Sequence, residues 1–271
     1  MTALARAVAE VAACARPWLA PYAALGQQLA HRARAGETVA QDLNGLLNPG
    51  CAIHLHAGVL CFVAHGELPK GEAYEAFITR TARVPTRDNL HDLFNGLVWL
   101  RFPALKRRLN ELQAEQIARA GISPSRGAVR DALTLFDENA ALWQAPAVLV
   151  EALRRRDWQA LFIGHRAAWA DARLTLFGHA LLEKLTQPRK AITAHVWVVP
   201  DSVQADRHLA NTLSAEWLTA TGHLPLPVPV LGVPGWWAAN QAAGFYADAA
   251  VFRPLRPPGA AAAAGTVGTG L

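Results

Sequence analysis

Asp88, His91, Asp92 and Asn95 stand at positions i, i+3, i+4 and i+7. On a helix that spacing places two carboxylates, an imidazole and an amide on one stripe. The other stripe carries Leu90, Phe94, Leu97, Val98 and Arg101 and reads as a core face. A polar stripe on so apolar a helix must be solvated, hydrogen-bonded internally or used for chemistry. Two further clusters have the same character. Asp137, Glu138 and Asn139 follow an apolar run that reads as a strand, where site residues commonly project. His179 and Glu183 are one helical turn apart and point the same way.

If His91, Asp92, Asn95, His179, Glu183 and a carboxylate from Asp137 or Glu138 meet, they form a mixed nitrogen and oxygen site. Such a site holds a divalent metal or works as an acid/base pair. Arg87, Lys106 and Arg107 would then supply a basic rim suited to an anionic substrate. The alternative for each cluster is structural: a helix cap at Asp88, a buried network through His91 and Asn95, a polar turn at 137–139 and a solvated helix end at Glu183. The His179/Glu183 pair lacks the second histidine of the zinc protease motif HExxH. No GxGxxG, GxxxxGK[ST] or GxSxG is present, so a Rossmann site, a P-loop and a hydrolase nucleophile elbow lack their signatures.

The elements that position these residues follow from punctuation and period. Helices are expected over 3–15, 23–34, 39–47, 70–81, 89–100 and 103–120, the fifth capped by Asp88 and the sixth opened by Pro103. Residues 53–63 read as a strand or hairpin turning at Ala57-Gly58. Farther on, 131–136 reads as a buried strand, 146–156 and 167–185 as helices, 192–199 as a strand and 203–219 as a helix. The proline-rich stretch 224–237 should lie extended on the surface, with Trp236 and Trp237 against the body. Helices outnumber strands and do not alternate with them, which gives an α+β fold, predominantly helical, in one domain over 3–253. Residues 254–271 form a Pro/Gly/Ala tail expected to be disordered.

The 271 residues can bury a sizeable core, and 52% hydrophobic with 17% charged residues is a globular composition. Nine Trp against three Tyr implies several large aromatic anchors. No apolar run reaches the roughly 20 residues of a membrane span, and Arg6, Glu10 and Arg16 interrupt the apolar N-terminus. Cys14, Cys51 and Cys61 form no CxxC pair, which argues against a disulfide framework or zinc ribbon and for a reducing cytoplasm. The net charge of +5 concentrates around Lys106-Arg107-Arg108 and Arg154-Arg155-Arg156. That excess is a phosphate- or nucleic-acid-binding face or simply a set of solvated helix faces.

Several long blocks resemble a known bacterial family. They are Val84-Pro-Thr-Arg-Asp-Asn-Leu-His-Asp-Leu-Phe-Asn, Phe102-Pro-Ala-Leu-Lys with Asn110, Leu133-Thr-Leu-Phe-Asp-Glu-Asn, Phe177-Gly-His-Ala-Leu-Leu-Glu, and Gly232-Val-Pro-Gly-Trp-Trp with Phe245-Tyr. The family is catalogued only as domain of unknown function 3025, and the resemblance runs from about Tyr22 to Pro254. It implies a bacterial cytoplasmic setting and carries no activity. Two function classes follow from the residues: a metal-dependent hydrolase, such as a nuclease or phosphoesterase, or a non-catalytic binding protein. Convergence of the three clusters favours the first and dispersal favours the second.

Overall fold

Cap residues and prolines set where the helices of this chain begin. The computed structural model describes residues 2–32, 37–47, 52–120, 127–201, 204–220 and 225–255. Cys51 and the tail beyond Leu255 lie outside the described residues. Thr2 caps helix α1 (Ala3–Ala12) by accepting the Ala5 N–H. A 3-10 turn over Pro17–Tyr22 leads into α2 (Ala23–Arg32), which packs on α1 at backbone distance. A Cβ at Gly26 would come within 2.6 Å of the Ala12 nitrogen, so the contact requires glycine. Helix α3 (Val39–Asn44) opens with a capping box between Thr38 and Gln41.

A small hairpin, β1 (His54–Leu55) with β2 (Gly58–Val59), precedes β3 (Cys61–Ala64). Helix α4 (Tyr74–Thr81) crosses over to β4 (Arg83–Thr86), which pairs in parallel with β3. Next come α5 (Leu90–Arg101), α6 (Pro103–Ala120) and α7 (Ala128–Asn139). Chain order continues with β5 (Ala140–Gln144), α8 (Ala147–Arg154), β6 (Arg173–Leu176), α9 (His179–Lys184) and β7 (Thr193–Val198). The last elements are α10 (Ala205–Thr212), α11 (Ala215–Thr219) and β8 (Leu226–Pro229). Four strands form a mixed sheet in the order β6-β5-β7-β8. The fold is α+β and predominantly helical, as the pattern of elements implied. No helix among the described residues is long and apolar enough to cross a membrane.

Five local expectations need correction. Residues 131–136 belong to helix α7, not a strand; Leu133 and Phe136 with partly buried Val129 and Ala132 make a helical stripe that a short apolar run disguises. Asp137, Glu138 and Asn139 are therefore the last turn of that helix, and the strand begins just after them at Ala140. The stretch 167–185 is a 3-10 turn, a strand and a six-residue helix, because residues 173–176 pair antiparallel with β5. Residues 205–219 form two helices, separated where Ser214 caps the second through Trp217 N–H. Asn89, not Asp88, caps α5; the Asp88 carboxylate is taken by the Val39 N–H at 2.8 Å.

The proline-rich segment also differs from a plain surface strand. Residues 226–229 pair with β7 at the sheet edge, where strand prolines are tolerated, and Val230 and Leu231 are buried beyond it. One continuous hydrophobic cluster joins helices and sheet, with Trp18, Phe94, Trp99, Phe136, Trp143 and Phe177 fully enclosed. Helix α5 lies inside this cluster, with Leu93, Phe94, Leu97, Val98 and Trp99 all buried. Its polar stripe is consequently turned toward α9 and, through Asn95, toward Lys106 of α6.

Candidate metal centre

The first turn of α5, the last turn of α7 and the start of α9 meet at one point. Contact between α7 and α9 is made at backbone distance, through Gly178. A Cβ there would fall 2.4 Å from the Asn139 nitrogen and 2.5 Å from the Glu138 carbonyl carbon. The absence of a side chain at 178 thus brings His179 directly over the end of α7.

His179 is buried, and its Nδ1 stands 2.9 Å from the carbonyl oxygen of Asp137. A carbonyl only accepts, so Nδ1 carries the hydrogen and Nε2 presents a lone pair. Burial takes this imidazole down to about 4, against the pull of Asp137 and aided by Lys106 and His91, so it is neutral near pH 7. His91 Nδ1 lies 3.0 Å from Glu183 Oε2, a carboxylate that accepts the ring hydrogen. The two free nitrogens then face one another: His91 Nε2 and His179 Nε2 are 3.1 Å apart, with the rings nearly perpendicular.

Glu138 completes the group, its Oε2 lying 3.4 Å from His179 Nε2. Ligand atoms of His91, Glu138 and His179 all lie within 4.8 Å of one another. Two nitrogens bound to a tetrahedral zinc-like ion at about 2.0–2.1 Å stand roughly 3.3 Å apart, close to the observed separation. Each histidine also donates its other ring hydrogen to a carbonyl or carboxylate, the supporting arrangement of metal-bound imidazoles.

Behind the histidines runs a buried polar chain. Lys106 Nζ donates to Asp137 Oδ1 at 2.6 Å and to Asn95 Oδ1 at 2.9 Å, and Asn95 Nδ2 donates to the Tyr74 hydroxyl at 3.1 Å. Burial alone would raise Asp137, but Lys106 and His179 outweigh it and hold the carboxyl below its ordinary range. Glu138 is pushed upward by burial and by the Asp137 charge. In front lies a cavity of about 300 Å³ walled by His65, Tyr74, Glu75, Arg87, His91 and Glu138, among others. Burial and the Asp137 charge raise Glu75 to about 7, even though Lys106 and Asn110 favour its ionised form.

The residues singled out by spacing fall into three groups. His91, His179 and Glu138 converge as donors, while Glu183, Asp137, Asn95 and Lys106 support them. Asp92 accepts from the Arg87 backbone and from its Nε and Nη2, locking the turn ahead of α5. Lys106 is an interior residue, not part of a rim, because Asp137 and Asn95 consume its charge. Arg107 is half exposed and pairs with Glu111 at 3.6 Å, outside the cavity wall. Asp88 and Asn139 are engaged elsewhere, Asn139 donating to the Thr193 carbonyl. Tyr74 and Glu75 were not foreseen; they reach the cavity through packing of α4 on α6, and no local spacing marks them, while His65 joins the wall from the turn after β3.

Residues 60–256 match the family described as Protein of unknown function (DUF3025), and the chain belongs to that family. No curated protein and no solved structure matches the chain.

Proposed function

We propose that this member of the DUF3025 family is a metal-dependent hydrolase whose divalent ion is bound by His91, His179 and Glu138. The observation that carries the reading is the convergence of two imidazole lone pairs and a carboxylate oxygen beside a cavity. Three protein ligands leave coordination positions open, which is the pattern of catalytic rather than structural sites. An ion held there supplies Lewis acidity and lowers the pKa of a bound water toward neutrality.

The protein's own groups define the rest. Glu183 and the Asp137 carbonyl fix the two rings in the tautomer that coordinates. Lys106 neutralises Asp137 and keeps the end of α7 in place. Arg87, whose side chain is 53% exposed beside Asp92, is the cation at the cavity edge and suits a substrate with an anionic group near the bond cleaved. The cavity is at the small end of ligand sites, which favours a small phosphoester or ester over an extended chain, and makes nucleic acid the less favoured substrate. The free thiols of Cys14 and Cys61 support a reducing, cytoplasmic setting.

The test is hydrolysis of bis(4-nitrophenyl) phosphate and 4-nitrophenyl acetate by protein stripped with chelator and then reloaded with zinc or manganese. Metal-dependent turnover that is lost in His179→Ala is expected. Equal rates for stripped, reloaded and mutant protein would remove the hydrolase reading.

A further inference from the structure

Resting on that metal centre, we propose that Glu75 is the proton-transferring carboxylate of the cavity, accepting a proton from the attacking water and passing it to the leaving group. The placement comes from α4 packing on α6, which sets Glu75 in the same cavity wall as His91, Glu138 and His179. One of its oxygens is fixed: Asn110 Nδ2 donates to Oε2 at 2.6 Å and to the Glu75 carbonyl at 2.9 Å. The Thr79 hydroxyl donates to Asn110 Oδ1 at 2.8 Å and so fixes which way that amide faces. Among the described residues no hydrogen bond engages Oε1, which leaves it for a molecule in the cavity.

Elimination points to the same residue. Asp92 is bound by Arg87, Asp137 by Lys106 and Glu183 by His91, and Glu138 faces the ion. Glu75 is the remaining carboxylate of the wall. Its surroundings balance: Tyr74 beside it, Lys106 and Asn110 from α6, Asp137 and Glu138 from α7, His91 and Asp92 from α5, His179 from α9, and His65 and Arg87 from the flanking turns. The negative neighbours hold its proton on and Lys106 pulls it off, so both forms are populated near neutral pH, the condition for efficient proton transfer.

The step balances without any further reagent. A water O–H bond breaks as its oxygen bonds to the electrophilic centre, and the proton passes to Glu75 Oε1. The bond to the leaving group then breaks, and the proton moves from Glu75 to the departing atom, regenerating the carboxylate.

Acetohydroxamic acid tests this without requiring turnover. It enters as a neutral acid and binds metal as the anion, so its proton must be left on a nearby base. Full-length protein loaded with cobalt(II) would be titrated with it and followed by visible absorption across pH. Wild-type affinity is expected to fall as the pH drops and Glu75 takes up a proton. Glu75→Gln should bind about tenfold or more weakly near pH 8 and lose that inflection. Imidazole, which needs no proton acceptor, should bind both proteins equally at about pH 8, showing an intact centre. Wild-type affinity and inflection in Glu75→Gln would overturn the role. So would a cobalt spectrum that acetohydroxamic acid leaves unchanged. Failure to take up cobalt at all would remove the metal centre itself, and the role of Glu75 with it.

Discussion

His91 Nε2 and His179 Nε2 face each other at 3.1 Å while both Nδ1 atoms are engaged, one by Glu183 and one by the Asp137 carbonyl. Two bare lone pairs repel, so the pair needs either a cation or a ring proton between the two nitrogens. A proton on one ring would satisfy the nitrogens alone. The Glu138 carboxylate oxygen, 3.4 Å from His179 Nε2, supplies the third donor of the proposed metal site.

Glu183 should act on the metal through His91 and not touch it. Replacement of Glu183 by Gln is expected to weaken cobalt or zinc affinity by about 10–100-fold, measured by competition with a chelating dye. Stability of the metal-free protein should be nearly unchanged, because Glu183 is 38% exposed. Unaltered affinity would place Glu183 outside the centre.

Lys106 and Asp137 form a buried ion pair whose partners each need the other. Lys106→Met leaves a buried carboxylate without its counter-charge and should cost about 3–5 kcal/mol in denaturant melts of metal-free protein. The pH dependence follows from Asp137, which burial raises but Lys106 and His179 together hold below the ordinary range. A depressed folded pKa gives stability that is complete above the unfolded value of about 3.9 and is lost as pH falls through the folded one. The stability curves of wild type and Lys106→Met should therefore converge in acid. A constant gap down to low pH would show that Asp137 is not the group concerned.

Much of this arrangement can be read from residue order alone. Pro103 marks the start of α6, and the helical period of α5 puts His91 and Asn95 on one stripe, although its cap is Asn89 and not the Asp88 that the sequence suggests. His179 and Glu183 stand out by their one-turn spacing. The strand β6 does not show, because Arg173–Leu176 is a strand only by virtue of pairing with β5, a long-range contact. Helix α7 is disguised for the converse reason: its apolar residues are too few and too close to separate a helix stripe from a buried strand. Tyr74 and Glu75 are illegible for a third reason. They sit in the first turn of α4, where a carboxylate ordinarily caps a helix in water, and only the packing of α4 on α6 turns them inward.

Gly178 should matter more for the centre than for the fold. A Cβ at this position would lie 2.4–2.5 Å from the backbone of Glu138 and Asn139, so Gly178→Ala must part α7 from α9. Overpacking of this kind costs about 1–3 kcal/mol. Because the two elements parted carry Glu138 and His179, two of the three proposed ligands, metal affinity is expected to fall more than stability does. A variant that is destabilised yet binds metal as wild type does would contradict this division.

Phe94 tests whether α5 is the rigid support. It is 2% exposed at the centre of the core face, and Phe94→Ala should cost roughly 3–5 kcal/mol. A loss well under 1 kcal/mol in denaturant titration would mean that the helix carrying His91 is not anchored as described.

The most direct measurement is titration of chelator-stripped protein with cobalt(II) or zinc, read by calorimetry and by elemental analysis after dialysis, for wild type, His179→Ala and Glu138→Ala. One ion per chain in the wild type, with uptake lost in both variants, is the result that a centre of His91, His179 and Glu138 requires. Equal uptake by all three proteins would contradict it. So would no uptake by any of them, leaving the two histidines to share a proton as a structural link between α5 and α9.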